Sequence, residues 1–196
     1  MRFDVAREVF VCVASTDVPA GDPSQGAPAL RFFAGSAADL PRLADHDAPT
    51  LAAMRARLER GDRWLVGEAG GLIVTYTFLS IAHDFDYPAL PGCRFALRDD
   101  VAYGYGAWTP PSLRGRGYRR RAFAEELRWL RQIDKKWEAS VFIAPQLEPA
   151  RRSLSTVGIA IEPSWRVTYG RDRQAAFERL GPADDDRCVP ITSYNE

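Results

Sequence analysis

The residues with the clearest chemical potential are Arg114–Gly117, which read Arg-Gly-Arg-Gly. They follow Pro110 and Pro111, which end an apolar and aromatic segment, Val101–Trp108, that favours a β-strand. The first turn of a helix has unpaired N–H groups and attracts anions, and glycines allow close approach of the backbone. Two guanidinium groups add charge and paired donors. If a helix follows, the segment predicts a phosphate-binding loop.

A helix is indeed predicted directly after this loop. The apolar residues repeat at intervals of 4, 3, 3 and 4, as one face of an amphipathic helix requires. They are Phe123, Leu127, Leu130, Ile133 and Trp137. The helix Gly117–Trp137 can serve as the crossover between two parallel strands, Val101–Trp108 and Ala139–Ala144.

This strand–Pro–loop–helix unit resembles that of the GNAT superfamily of acyl-CoA-dependent N-acyltransferases, of which the chain would be a divergent member. The family's pyrophosphate signature is Arg or Gln, two residues, Gly, one residue, and Gly or Ala. Arg114 and Gly117 match the first and fourth positions, and Pro111 stands where the family has a proline. Arg119 departs from the signature, and its long side chain would either crowd the phosphates or contact them.

The resemblance implies an α+β fold with a mixed, mostly antiparallel sheet flanked by helices. The sheet would be splayed between Val101–Trp108 and Ala139–Ala144, with an extra N-terminal strand, Phe3–Val13, at one edge. We divide the chain into an N-terminal strand and loop (1–29), an acyltransferase domain (30–182) and a C-terminal tail (183–196).

Hydrophobic periodicity and turn residues predict the remaining elements. The predicted strands are Leu30–Ala34, the hairpin Arg63–Glu68 with Leu72–Ile81, Ile159–Ile161 and Arg166–Tyr169. The predicted helices are Ala37–Ala44, one from Pro49 to Gly61, Pro149–Val157 and Arg171–Leu180. A loop is predicted over His83–Pro91, and the tail from Pro190 is expected to be loosely held.

The resemblance also implies a set of donor-binding residues. Backbone groups at the end of the central strand would hold the pantetheine and the oxyanion, and the loop would hold the pyrophosphate. The residues implied for the pantetheine and the oxyanion are Ala107, Trp108 and Thr109. Those implied for the pyrophosphate are Arg114, Gly115, Arg116, Gly117, Tyr118 and Arg119.

The usual catalytic side chains of the family are missing. The residues at the expected positions are Tyr103, Gly106, Phe142, Leu147 and Leu154. Tyr103 and Tyr105 share a strand face and could orient an amine or relay a proton, although both could equally be core aromatics. His83 is the titratable candidate, with a plain surface histidine as the alternative.

Composition excludes several classes of function. The charges of the 26 basic and 26 acidic residues cancel. Binding of a nucleic acid through Arg114–Arg121 is therefore disfavoured, as is binding to an anionic membrane. No Walker-type phosphate loop occurs. The three cysteines show no metal-binding or redox spacing, so we expect reduced thiols, no metal and a cytoplasmic protein.

The sequence therefore predicts an N-acyltransferase that moves an acetyl or longer group from acyl-CoA to an amine by direct attack. The acceptor would be a small-molecule or peptide amine, and an acyl-carrier protein as donor and a homodimer both stay open. The alternative is a non-catalytic acyl-CoA-binding module, favoured by the missing catalytic side chains.

Overall fold

A computed structural model describes residues 7–17, 29–43, 46–86, 93–169 and 175–191. The strands are β1 Arg7–Ser15, β2 Arg31–Gly35, β3 Arg63–Ala69, β4 Leu72–Ser80, β5 Asp84–Asp86, β6 Arg94–Leu97, β7 Val101–Trp108, β8 Trp137–Ile143, β9 Ile161–Tyr169, β10 Ala175–Arg179 and β11 Cys188–Pro190. The helices are α1 Ala48–Glu59, α2 Tyr118–Gln132 and α3 Ala144–Ser155, with short 3₁₀ turns at Ala37–Arg42 and Pro111–Leu113.

Eight strands form one large sheet in the order β10-β9-β1-β8-β7-β4-β3-β2. The pair β7–β8 is parallel, and the other pairings described are antiparallel. Helix α2 connects this parallel pair and buries Phe123, Leu127 and Leu130 against the sheet. The predicted α+β fold, with its mostly antiparallel mixed sheet, is confirmed.

The N-terminal strand does not lie at the edge of the sheet, so that prediction was wrong. β1 lies between β8 and β9, with Val11 opposite both Val141 and Trp165. Val9, Val11 and Val13 are buried on one face. Partners more than 120 residues away hold both edges of this strand, and no local pattern can indicate them. Residues 3–6 of the predicted strand lie outside the described part of the chain.

A second sheet, β11-β6-β5, covers one face of the large sheet. Its Phe85 and Phe95 join Tyr103 in one hydrophobic core. The prediction of a loop from His83 was therefore wrong at residues 84–86, and residues 87–92 lie outside the described residues. The tail is also more ordered than expected at β11, where Cys188 pairs with Leu97. Strands of three or four residues are too short to show a clear period.

The C-terminal prediction needs two corrections. Ile161–Tyr169 is one continuous strand and not two, with a register irregularity opposite Val11 and Cys12. The predicted helix Arg171–Leu180 is wrong: residues 175–179 form β10, with Ala175 opposite Tyr169. Ala, Glu and Arg favour helices locally, but the open edge of β9 offers backbone partners that outweigh this propensity. Residues 170–174 lie outside the described residues.

The hairpin β3–β4 and the helix α1 form as predicted. The segment predicted as a helix over Ala37–Ala44 is a 3₁₀ turn, Ala37–Arg42, and residues 44–45 are not described. All three cysteines are free and buried, as expected for small hydrophobic residues. None of the described helices is long and apolar enough to cross a membrane. The domain limits at residues 29 and 182 stay predictions.

Candidate functional site

The sheet opens between its two parallel strands. Pairing of β7 with β8 runs from Val101 opposite Trp137 to Gly104 opposite Ser140 and ends there. Beyond that point β7 follows β4 through a bulge, where Gly106 has a φ of 62°. The predicted splay is thus confirmed. The edge of β7 beyond Gly104 faces a cavity of about 640 Å³ and not β8.

A second cavity, of about 480 Å³, lies at the predicted phosphate loop. Gly115 and Gly117 have φ values of 77° and 78°, a left-handed conformation that glycine adopts without strain. The first helical hydrogen bond of α2 runs from Arg121 N–H to the carbonyl of Gly117. The backbone N–H groups of the three residues before Arg121 therefore have no acceptor within the helix, as an anion site requires.

The two cavities form one continuous cleft. Thr109, Arg114 and Arg119 line both of them. Arg114 donates from Nε to the carbonyl of Thr109 at 3.3 Å, which ties the loop to the end of β7. Arg116 is exposed at the mouth. A ligand with an anionic end and a long thin arm would fit this shape.

The side chain of Arg119, the residue that departs from the signature, is bonded to a glutamate of its own helix. Its guanidinium turns along α2 and donates to Glu126 at 2.7 Å. It also lies over the ring of Phe123, 5.2 Å from the centroid. Glu126 is fully buried. Arg119 is therefore tied to a buried acid beneath the loop, even though part of it still lines the cleft.

A pair of buried glutamates lies behind the point where the strands separate. Glu126 of α2 and Glu138 of β8 are at most 1% exposed, and one carboxylate oxygen of each has no hydrogen-bond partner. Ser140 donates from Oγ to Oε1 of Glu138 at 2.8 Å and also lines the cleft. A Cβ built on Gly104 would lie 2.8 Å from Cδ of Glu138 and closer to Oε1, which explains the glycine there.

Burial raises the pKa of Glu138 well above its usual value, and the negative charge of Glu126 raises it further. Arg119 and the Ser140 hydroxyl oppose this shift but are the smaller influences. Glu138 is therefore a carboxyl group that tends to keep its proton, linked by a hydroxyl to the cleft. Sequence reasoning missed this cluster. The available signal was Gly104, because a glycine inside a predicted strand often marks a place where another group approaches the backbone closely.

The two tyrosine candidates lie on the cleft side opposite α2. Both line the cleft, and their rings stack with centroids 5.3 Å apart. Tyr103 is also buried against Phe85, at 3.8 Å. The Tyr105 hydroxyl donates to Asp62, and burial together with this bond raises the pKa of Tyr105 above its usual value. Tyr105 therefore stays protonated, and its oxygen can accept a hydrogen bond from an amine.

The third candidate, His83, lies elsewhere. Its side chain is 80% exposed and contacts Asp99 at 3.2 Å, before the start of β7 and so at the opposite end of this strand from the loop. It does not line the cleft. The alternative of a plain surface histidine therefore describes His83 better, and the strand β5 that follows it pairs with β6 in the second sheet.

The other histidine of the chain, His46, lies closer to the cleft. Its Nε2 is 2.7 Å from the hydroxyl of Tyr76, and its ring packs edge-on against Trp108 at 4.6 Å. Trp108 lines the cleft. Burial raises the pKa of Tyr76 to about 12. No pattern in the sequence brings His46 next to Trp108, because the contact spans more than 60 residues.

The positions where relatives carry catalytic side chains have structural roles here. Leu147 and Leu154 of α3 are each 5% exposed and pack into the core beneath α2. Phe142 is half-buried and lines the cleft. Of the predicted phosphate-loop residues, Tyr118 is buried. Arg121, in the first turn of α2, is only 6% exposed.

Comparison with solved structures identifies the architecture. A protein assigned to the GNAT family of acetyltransferases from Novosphingobium aromaticivorans superposes with a TM-score of 0.55 at 16% identity, over 85% of this chain and 64% of that one. A glucosamine N-acetyltransferase region of a fungal multi-domain β-N-acetylglucosaminidase gives 0.58 at 16% identity, over 85% and 21%. This chain thus spans less than two thirds of either protein.

Sequence comparison adds nothing to this, since no family model and no curated protein matches the chain. At 16% identity, the likeness concerns the fold. The splayed β7–β8 pair and the helix between them agree with the architecture that the sequence predicted. The chain therefore has the fold of the GNAT acetyltransferases.

Proposed function

We propose that this protein transfers an acetyl or longer acyl group from an acyl-CoA to an amine. The observation that carries the proposal is the continuous cleft that joins the open N-terminus of α2 to the separated edge of β7. The acyl transfer named for the two solved structures supports it.

The donor would extend from the phosphate loop to the point where β7 and β8 separate. Its diphosphate would accept hydrogen bonds from the first amides of α2, with Arg114 and Arg116 supplying charge. The pantetheine would follow the free edge of β7 at Ala107 and Thr109 in the manner of an added strand. The thioester would then reach the point where β7 and β8 separate.

The reaction joins the amine nitrogen to the thioester carbon and breaks the carbon–sulfur bond. Backbone N–H groups near the end of β7 would stabilise the oxyanion. The Tyr105 oxygen would accept a hydrogen bond from the amine and orient it. The nitrogen gives up one proton to solvent, because the described cleft residues include no acid or histidine as a base.

The leaving thiolate takes up one proton. We place Ser140 as its donor, with Glu138 as the group that reprotonates Ser140. The raised pKa of Glu138 keeps a proton available, and solvent restores it after each turnover. This arrangement would replace the general acid that Leu154 cannot supply.

Release of free thiol from acetyl-CoA tests the proposal. Wild-type protein should release CoA thiol with at least one amine of a broad panel, and Ser140→Ala should lower kcat by about 100-fold, the lower end of a typical contribution of proton transfer, with little change in KM. The variant Ser155→Ala is a matched control, since Ser155 is exposed and lines neither cavity. Absence of thiol release with acetyl-CoA and longer donors would refute a transferase.

The same cleft supports a second candidate, a non-catalytic acyl-CoA-binding module. The favouring observation is that the described residues lining the cleft include no Asp, Glu, His or Cys. Such a module would be stabilised by roughly 2.7 kcal/mol at a hundredfold excess of CoA over its Kd, without turnover. A CoA-dependent rise in Tm in the absence of any thiol release would favour this candidate.

A further inference from the structure

Arg57 is a cation of the larger cavity that has no counterion among the described residues. Arg57 projects from α1, is half-buried, and lines the larger cavity. Its guanidinium lies over two rings, 5.2 Å from the centroid of Phe78 and 5.1 Å from that of Tyr105. It makes no side-chain hydrogen bond or ion pair with any described residue.

Asp62, the acid bonded to Tyr105, is already engaged. Asp62 accepts the hydroxyl of Tyr105 and pairs with Arg60 at 3.2 Å. On the β7 side, Gly106 presents only backbone, and a Cβ built there would lie 3.0 Å from a terminal nitrogen of Arg57. The guanidinium thus remains positively charged, partly desolvated and open to the cavity.

The position of Arg57 relative to the two halves of the cleft separates it from the donor site. The phosphate loop has its own cations, Arg114 and Arg116, at the far end of β7 from Gly104. Arg57 instead lies over the ring of Tyr105, the residue that we expect to orient the amine. An anion bound by Arg57 would therefore belong to the molecule that occupies the Tyr105 side of the cleft.

We propose that Arg57 binds the carboxylate of the acceptor, so that the substrate is an amine that also carries a carboxylate, such as an amino acid. The assignment of this carboxylate to the acceptor rests on the proposed function. Binding of an anion by Arg57 does not itself require turnover. Guanidinium and carboxylate match as a bidentate pair, and the aromatic rings beneath Arg57 keep its planar fork in place. The Tyr105 oxygen would hold the amine of the same molecule.

Binding to the CoA-saturated protein tests this without requiring catalysis. The probes are the twenty amino acids and their α-amides, measured by isothermal titration calorimetry at one pH and ionic strength. We expect at least one amino acid to bind about 10- to 100-fold more tightly than its amide, the range of hydrogen bonds to charged groups. Arg57→Gln should remove that difference and leave the affinity for CoA unchanged.

The matched control is Arg55→Gln, which removes the same charge from an exposed position of α1 that does not line the cleft. It should keep the preference for the amino acid. Equal affinity for acids and amides in the wild type, or an Arg57→Gln variant that keeps the preference, would overturn the proposal. So would tighter binding of succinyl-CoA than of acetyl-CoA that Arg57→Gln abolishes, because Arg57 would then serve the acyl group.

Failure of the transferase and failure of the anion site give different results. If amino acids bind through Arg57 but no thiol is released, the proposed function fails and the anion site stands. If thiol is released with uncharged amines and Arg57→Gln leaves their kcat/KM and that of amino acids unchanged, the transferase stands and the anion site fails.

Discussion

The first turn of α2 has two sides that differ in construction. On the outer side, Gly115, Gly117 and two exposed arginines leave backbone N–H groups open to the cleft. On the inner side, Arg119 reaches the fully buried Glu126, and Glu138 lies close enough for the two acids to repel. Among the described residues, no acid lines the outer side, whereas the inner side combines two buried acids with Arg119.

Neighbouring arginines should therefore contribute differently, some to anion binding and one to the stability of the fold. Arg114 and Arg116 are exposed, so their removal should weaken binding of an anion but leave stability almost unchanged. Arg119 neutralises a buried carboxylate, so its removal should act on the free energy of unfolding. Variants on the two sides should therefore give opposite patterns of effect.

The largest effect is expected for Arg119→Gln. Loss of the cation leaves Glu126 buried without a counterion, which should cost about 3 kcal/mol, the lower end for such pairs because Arg119 remains partly exposed. Urea denaturation measures the loss. The double variant Arg119→Gln with Glu126→Gln should recover most of it. A loss below about 0.5 kcal/mol, the usual range for surface substitutions, would mean that the inner side does not stabilise the fold.

A smaller loss of stability is expected for Gly104→Ala. The added methyl group would overlap the carboxyl of Glu138, and overpacking of this kind costs about 2 kcal/mol. Combining it with Glu138→Ala should restore part of the loss, because the overlapping group is gone. If Gly104→Ala unfolds at the wild-type urea concentration, Glu138 does not lie beneath this strand.

The smallest effect is a pH dependence removed by Glu138→Gln. Because the folded state raises the pKa of Glu138 above 4.5, the folded protein retains a proton that the unfolded chain has lost. Stability should therefore fall as pH rises above about 4.5, by up to 1.4 kcal/mol for each unit of pKa shift, and be unaffected below it. The Tm of the variant minus the Tm of the wild type should therefore increase as pH rises above about 4.5. A constant difference at all pH values would contradict a raised pKa.

The outer side could be predicted from sequence because its residues are contiguous. The proline break, the two glycines and the helical period of Phe123 and Leu127 all act locally, and the strand and the start of the helix lie within one residue of their predicted limits. The predicted end of the helix was wrong, since α2 ends at Gln132 and Trp137 begins β8. Backbone conformation and periodicity are properties of neighbours along the chain, so a single segment contains the information.

The inner side and the acceptor end could not be predicted in this way. Glu138 and Gly104 are 34 residues apart, and Arg57 meets Tyr105 across 48. A glutamate in a helix or strand is normally a solvated residue, and only packing reveals that two of them are buried together. The same reason explains the second sheet, in which β6 pairs with the distant β11. The strand β10 pairs instead with its neighbour β9, and there the local helix propensity led to the wrong prediction.

Calorimetric titration with CoA and with pantetheine tests the central claim most directly. The two ligands share the arm, and only CoA carries the diphosphate and nucleotide. We predict that CoA binds about 100-fold more tightly, and that Arg114→Gln with Arg116→Gln removes most of this difference while the Tm of the free protein stays the same. Equal affinities for the two ligands, or a double variant that still prefers CoA by 100-fold, would contradict a diphosphate site at the start of α2.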